Sequence, residues 1–145
     1  DGPDRYRRGV YTYWKRTSPY PSMLTFDTPS RDICSAQRIT TNTPLHVLIS
    51  LNDPVFLECS QAFAKRMAAE GGSELVARIK YGYLLSTQQP ASDSTLIVLK
   101  QLHGDILAEF KSAPERSKKI GESPEEAALA VLANTLLNLD AAITK

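Results

Sequence analysis

Histidine and cysteine are scarce in this sequence, with only His46 and His103, Cys34 and Cys59 among 145 residues. Two cysteines cannot complete a zinc site, and neither histidine stands in a Cys-x-x-Cys-His or His-x-x-x-His spacing, so haem attachment and the common zinc sites are excluded within the chain. An excess of one charge is missing too. With 17 Lys and Arg against 16 Asp and Glu the formal charge is +1, and no global field draws the chain to a phosphate polymer or an anionic membrane. No apolar run approaches the roughly 20 residues that cross a bilayer. The start, Asp1-Gly2-Pro3-Asp4, lacks the charged-then-apolar pattern of a signal peptide and reads as the edge of an excised piece. Internal repeats and low-complexity stretches are absent as well. No metal, cofactor, nucleic acid or membrane insertion is expected.

What is present is a set of helix starts. A capping residue followed by proline opens a helix well, because proline needs no donor at the first helical position. This pair occurs at Thr43-Pro44, Asp53-Pro54 and Ser123-Pro124, and in shorter form at Thr28-Pro29. Ser123 has Glu126 three residues on, a capping box. From Pro44 to Leu51 the sequence is apolar nearly all round, which predicts a short helix buried on most sides at the centre of the core. From Pro54 to Ala69, Phe56, Cys59, Phe63 and Met67 share one face, and Gly71-Gly72 ends the helix. A third helix, Ser73 to Leu85, presents Leu75, Val76, Ile79, Tyr83 and Leu84. Asp93 caps a fourth, which runs to Lys111 with Leu96, Leu99, Ile106, Leu107 and Phe110 inward. The charged stretch from Ser112 to Glu122 reads as an exposed loop. The last helix, Pro124 to Asp140, sets Leu129, Leu132, Leu136 and Leu139, with Ile143 beyond, at three- and four-residue steps and docks on the core. The first forty residues are irregular, although Tyr6 to Arg16 could form a helix with Tyr6, Val10, Tyr13 and Trp14 inward. The expectation is one all-α domain over 1–145, a compact bundle of five main helices behind an irregular N-terminal segment.

An ordered set of motifs runs along this framework. It begins with Arg7-Arg8-Gly9-Val10-Tyr11-Thr12-Tyr13-Trp14-Lys15-Arg16-Thr17, then Pro21-Ser22-Met23-Leu24, Phe26-Asp27, Pro29, Arg31-Asp32 and Cys34. It continues through Thr41-Asn42-Thr43-Pro44-Leu45 and Leu51-Asn52-Asp53-Pro54 to Leu136-Leu137-Asn138-Leu139-Asp140. In these the chain resembles DUF1553, the C-terminal domain of unknown function of large planctomycete-type exported proteins that often also carry a cytochrome c domain. The resemblance implies that the chain is the latter part of a longer domain, in an extracytoplasmic setting, and it brings no catalytic residues with it. Family members commonly have a Gly-Arg-x-Pro step where this chain has Gln88-Gln89-Pro90.

Several residues invite a functional reading. Cys34 as a nucleophile needs a base that is not near in sequence, so a buried structural thiol is the expectation. Cys59 belongs to a core stripe, and both thiols are expected unpaired; the family pattern that matches Cys34 has no counterpart to Cys59. His46 and His103 read as core or boundary histidines. The run Arg5, Tyr6, Arg7, Arg8, Tyr11, Tyr13, Trp14, Lys15, Arg16 interleaves cations with aromatics, as glycan and single-strand platforms do. The plainer reading is packed aromatics with solvated cations. Asp27, Arg31, Arg38, Asn42, Asn52 and Asp53 flank the most apolar helix and are expected to form a buried polar network. A ligand site built from Trp14, Asp27, Arg31, Arg38, Asn42 and Asp53 is the alternative. The functions that follow are a non-catalytic interaction or scaffolding module, part of an enzyme site for glycans or sulfated sugars completed elsewhere, or an aromatic glycan-binding surface. Other domains of the parent protein, another protein or a glycan are the expected partners.

Overall fold

The computed structural model describes residues 8–15, 17–18, 20–29, 34, 36 and 41–143. These form two compact units, residues 1–46 and 47–145. The fold is all-α, with no strand among the described residues and five helices longer than two turns.

In the first unit a 3-10 turn, Gly9–Tyr11, leads into extended backbone, and a short helix α1 spans Pro21–Thr25. Of the expected helix from Tyr6 to Arg16, the described residues 8–15 contain only this single turn. Val10 and Tyr13, read as inward, are exposed, while Tyr6 lies outside the described residues. The β-prone Tyr-Thr-Tyr-Trp run and Gly9 outweigh the apolar spacing. Pro29 is in no helix, and residues 30–33 lie outside the described set.

Helix α2, Pro44–Asn52, runs from the end of the first unit into the second. The rest of the second unit is built from α3 (Pro54–Glu70), α4 (Leu75–Thr87), α5 (Asp93–Ser112), a short α6 (Pro114–Ser117), α7 (Pro124–Leu137) and α8 (Asp140–Ile143). The cap-proline pairs work as expected at two of these starts. The Asp53 carboxylate accepts from Val55 N at 2.7 Å, and Ser123 Oγ accepts from Glu126 N at 3.1 Å; such a cap contributes about 1 kcal/mol. The return bond of the capping box goes one residue earlier, from Glu122 N to Glu126 Oε2. At α5, Ser92 rather than Asp93 is the cap, accepting from Thr95 N, and Asp93 becomes the first helical residue.

The centre of this unit is α7, not α2. Ala127, Ala128, Leu129, Ala130, Leu132, Ala133 and Leu136 are all buried, because alanines between the leucines let α3, α4 and α5 approach α7 from several sides. On α2 only His46 and Ser50 are buried, and Leu45, Leu48 and Leu51 face outward. Cys59 is likewise exposed; of the expected α3 stripe Met67 is buried and Phe63 packs against the core, while Ser60 and Ala64 complete the inward face. Gly82 on α4 makes close packing possible, since a Cβ there would stand 2.6 Å from Met67 Cε and 3.0 Å from Leu136 Cδ1. The segment between α5 and α7 is more than a loop: it contains α6, buries Ser117, and packs Ile120 on the core.

Candidate functional site

The polar residues of the motif-rich segment can be followed from the end of α1. Thr28 N donates to Met23 O at 3.1 Å, and Asp27 has φ 53°. This is the six-to-one closure of a helix by a left-handed residue, a place where glycine is usual and aspartate is tolerated. Aspartate adds what glycine lacks. Its carboxylate accepts from the Thr41 backbone N at 2.7 Å and from Thr41 Oγ1 at 2.7 and 2.9 Å. Those donors, the hydroxyl first and the amide second, hold the Asp27 carboxyl below its ordinary range.

His46 closes the same helix end from the other direction. Its Nε2 donates to the Thr25 carbonyl, one of the oxygens that a helix C-terminus leaves without an internal partner. Its Nδ1 lies 3.5 Å from Thr43 N, in position to accept from it. The ring lies 5.1 Å from that of Phe26 at an interplanar angle of 30°. Both ring nitrogens are thus engaged with backbone, and recruiting this imidazole as a general base would require opening the start of α2.

The remaining expected site residues are placed as follows. Asn42 is exposed. Asn52 donates to Leu48 O at 2.7 Å and covers a carbonyl at the end of α2, while Asp53 caps α3. Arg31 and Arg38 lie outside the described residues. Trp14 is half-buried, and Tyr11, Tyr13 and Tyr20 are exposed. The sequence reading missed Thr41 as the partner of Asp27 and Thr25 as the partner of His46. Only the position of Thr41 inside a motif hinted at the first, and a backbone carbonyl leaves no sequence signal at all.

Both cysteines are free and exposed, so neither is the buried structural thiol expected. Among the described residues no group of three His, Cys, Asp or Glu side chains could hold a metal ion, and no helix is long and apolar enough to cross a membrane.

His103, on α5, is buried, and burial pushes its pKa below the ordinary value. The folded protein therefore binds this proton less readily than the unfolded chain does. Stability should be unaffected by His103 well above the unfolded pKa of about 6.5 and should fall as pH drops through that value, by at most about 1.4 kcal/mol per pH unit. Urea unfolding of wild type and His103→Gln at several pH values checks this. The difference in slope between them between pH 7 and pH 5, with wild type the steeper, isolates this residue from His46.

Comparison with known proteins adds one match. A family model described as "PSD1: Protein of unknown function (DUF1553)" matches residues 1–103. No curated protein and no solved structure matches.

Proposed function

The chain belongs to the DUF1553 family, and from that premise we propose that it is a non-catalytic helical module that docks against other domains of a longer, exported, cytochrome-linked protein. The observation that carries this reading is the leucine stripe on α2. Leu48 and Leu51, three residues apart within the second unit, are exposed at 59% and 52%. Burying a leucine completely is worth about 1.5–3 kcal/mol, so a partner that covers these side chains gains from each of them. The engagement of Asp27 and His46 with helix ends and Thr41 supports the non-catalytic half of the reading, because groups committed to backbone are poorly placed to move protons. The extracytoplasmic setting and the cytochrome link rest on the family resemblance.

Hydroxyl-radical footprinting of the isolated chain and of its full-length parent tests the proposal. Leu48 and Leu51 should be oxidised less in the parent than in the isolated chain. Equal labelling in both would overturn it.

The glycan-surface alternative draws support from Tyr11 and Tyr13, exposed at 72% and 83%. It is weakened by the half-burial of Trp14, the aromatic on which it was centred.

A further inference from the structure

Charge is unevenly spread along the chain. Between Asp4 and Asp27 stand five cations, Arg5, Arg7, Arg8, Lys15 and Arg16, and no Asp or Glu. This stretch carries +5 in a protein of net +1, so the remainder is net negative at −4. Charges act over about a Debye length, roughly 10 Å at 0.1 M salt, so the near-neutral total does not cancel the field beside the stretch itself.

The same stretch exposes apolar side chains. Tyr11, Tyr13 and Tyr20 are exposed, and so are Val10 at 74% and Leu24 at 56%; Arg8 and Lys15 are exposed with them. These residues come from two pieces of the first unit that touch each other. The Gly9–Tyr11 turn lies against α1 through Met23, whose Cε would stand 3.2 Å from a Cβ at Gly9. Tyr20 O accepts from Met23 N at 3.0 Å at the start of α1.

The charge requires an anionic partner, and the side chains narrow its class. A sugar or a nucleic-acid base stacks on a flat ring, and the aliphatic Val10 and Leu24 offer none. The boundary between lipid headgroups and acyl chains takes tyrosine, valine and leucine alike, with arginine and lysine held at the level of the phosphates. We propose that the stretch from Arg5 to Phe26 docks peripherally on an anionic lipid surface. Its exposed tyrosines, Val10 and Leu24 enter the headgroup layer, Arg8 and Lys15 meet the phosphates, and the other cations of the stretch add to the attraction. Binding of this kind needs no spanning helix. It lies in the first unit and does not depend on Leu48 and Leu51.

Sedimentation of the chain with phosphatidylglycerol vesicles, and separately with phosphatidylcholine vesicles, tests the proposal. The anionic vesicles should retain the chain and the zwitterionic ones should not. Raising salt from about 0.1 M to about 1 M, which shortens the Debye length to roughly 3 Å, should weaken retention. A cation near the surface is worth about fivefold, so the double variant Arg8→Gln, Lys15→Gln should lower partition by more than about tenfold. Tyr11→Ser, Tyr13→Ser should lower it at unchanged charge, and Lys100→Gln, an exposed lysine on α5, should leave it unchanged. Circular dichroism establishes that each variant remains folded. Equal partition onto the two vesicles, or partition undiminished in the folded tyrosine variant, would overturn the assignment. Binding to chondroitin sulfate without binding to either vesicle would also overturn it and give the surface to a glycan.

Discussion

Replacing Leu132 by alanine should remove about 2–5 kcal/mol of stability, a large part of the roughly 5–15 kcal/mol typical of a folded domain. Leu132 is fully buried on α7, and helices α3 and α5 pack chiefly on α7, so the cavity left behind has no edge open to solvent. Leu48→Ala is the matched control. Leu48 has the same side chain in a helix that reads as equally apolar, yet it is 59% exposed, and its truncation should change stability by no more than about 0.5 kcal/mol. Urea unfolding followed by circular dichroism distinguishes the two, with a lowered midpoint and unchanged slope for Leu132→Ala alone. Equal effects would mean that α2 is as central as its sequence suggests.

Gly82 gives the second large effect, of opposite origin. Alanine is ordinarily favoured over glycine inside a helix by about 1 kcal/mol. Here its Cβ would meet Met67 Sδ at 2.7 Å and Cε at 2.6 Å, with Leu136 Cδ1 at 3.0 Å, and both neighbours are completely buried, so any shift must be taken up inside the core. Overpacking of that kind costs about 1–3 kcal/mol, so Gly82→Ala should lose stability on balance, and Gly82→Val should lose more than about 2 kcal/mol. A double-mutant cycle with Met67→Ala identifies the mechanism. The truncated side chain makes room for the added methyl, and a coupling of about 0.5–3 kcal/mol in the relieving direction is expected. A stabilising Gly82→Ala would show that the helices can move apart at little cost.

The acid side of the site follows the same physical reasoning. Because Thr41 lowers the pKa of Asp27, this carboxylate stabilises the fold above its unfolded pKa and ceases to do so as pH falls through its folded value. Its onset, in the carboxylate range, lies below that of His103, which begins near the unfolded imidazole value of about 6.5, so the two contributions enter a pH series at different points.

Local chemistry alone determined the helical class of this chain, its principal boundaries and two of its starts. Asp53-Pro54 and Ser123-Pro124 act within a few residues, and a hydroxyl or carboxylate reaches the first helical amides whatever the rest of the chain does. The motifs were sufficient for the family, now matched over residues 1–103. Which apolar helix lies at the centre was decided only by tertiary structure. Helix α2 read as apolar nearly all round and α7 as a leucine seam docking on the core, but 14 residues with small side chains between the leucines can be surrounded, whereas nine with leucines at 45, 48 and 51 leave those three exposed. On α3 the stripe was right at Phe63 and Met67 and wrong at Cys59 for a related reason: serine and alanine at positions 60 and 64 mark close helix contact, a signal that hydrophobicity does not register. The partners of Asp27 and His46 belong to the same category. Thr41 is fourteen residues from Asp27 and Thr25 is twenty-one from His46, and a bond across that distance exists only once the intervening chain has turned back on itself.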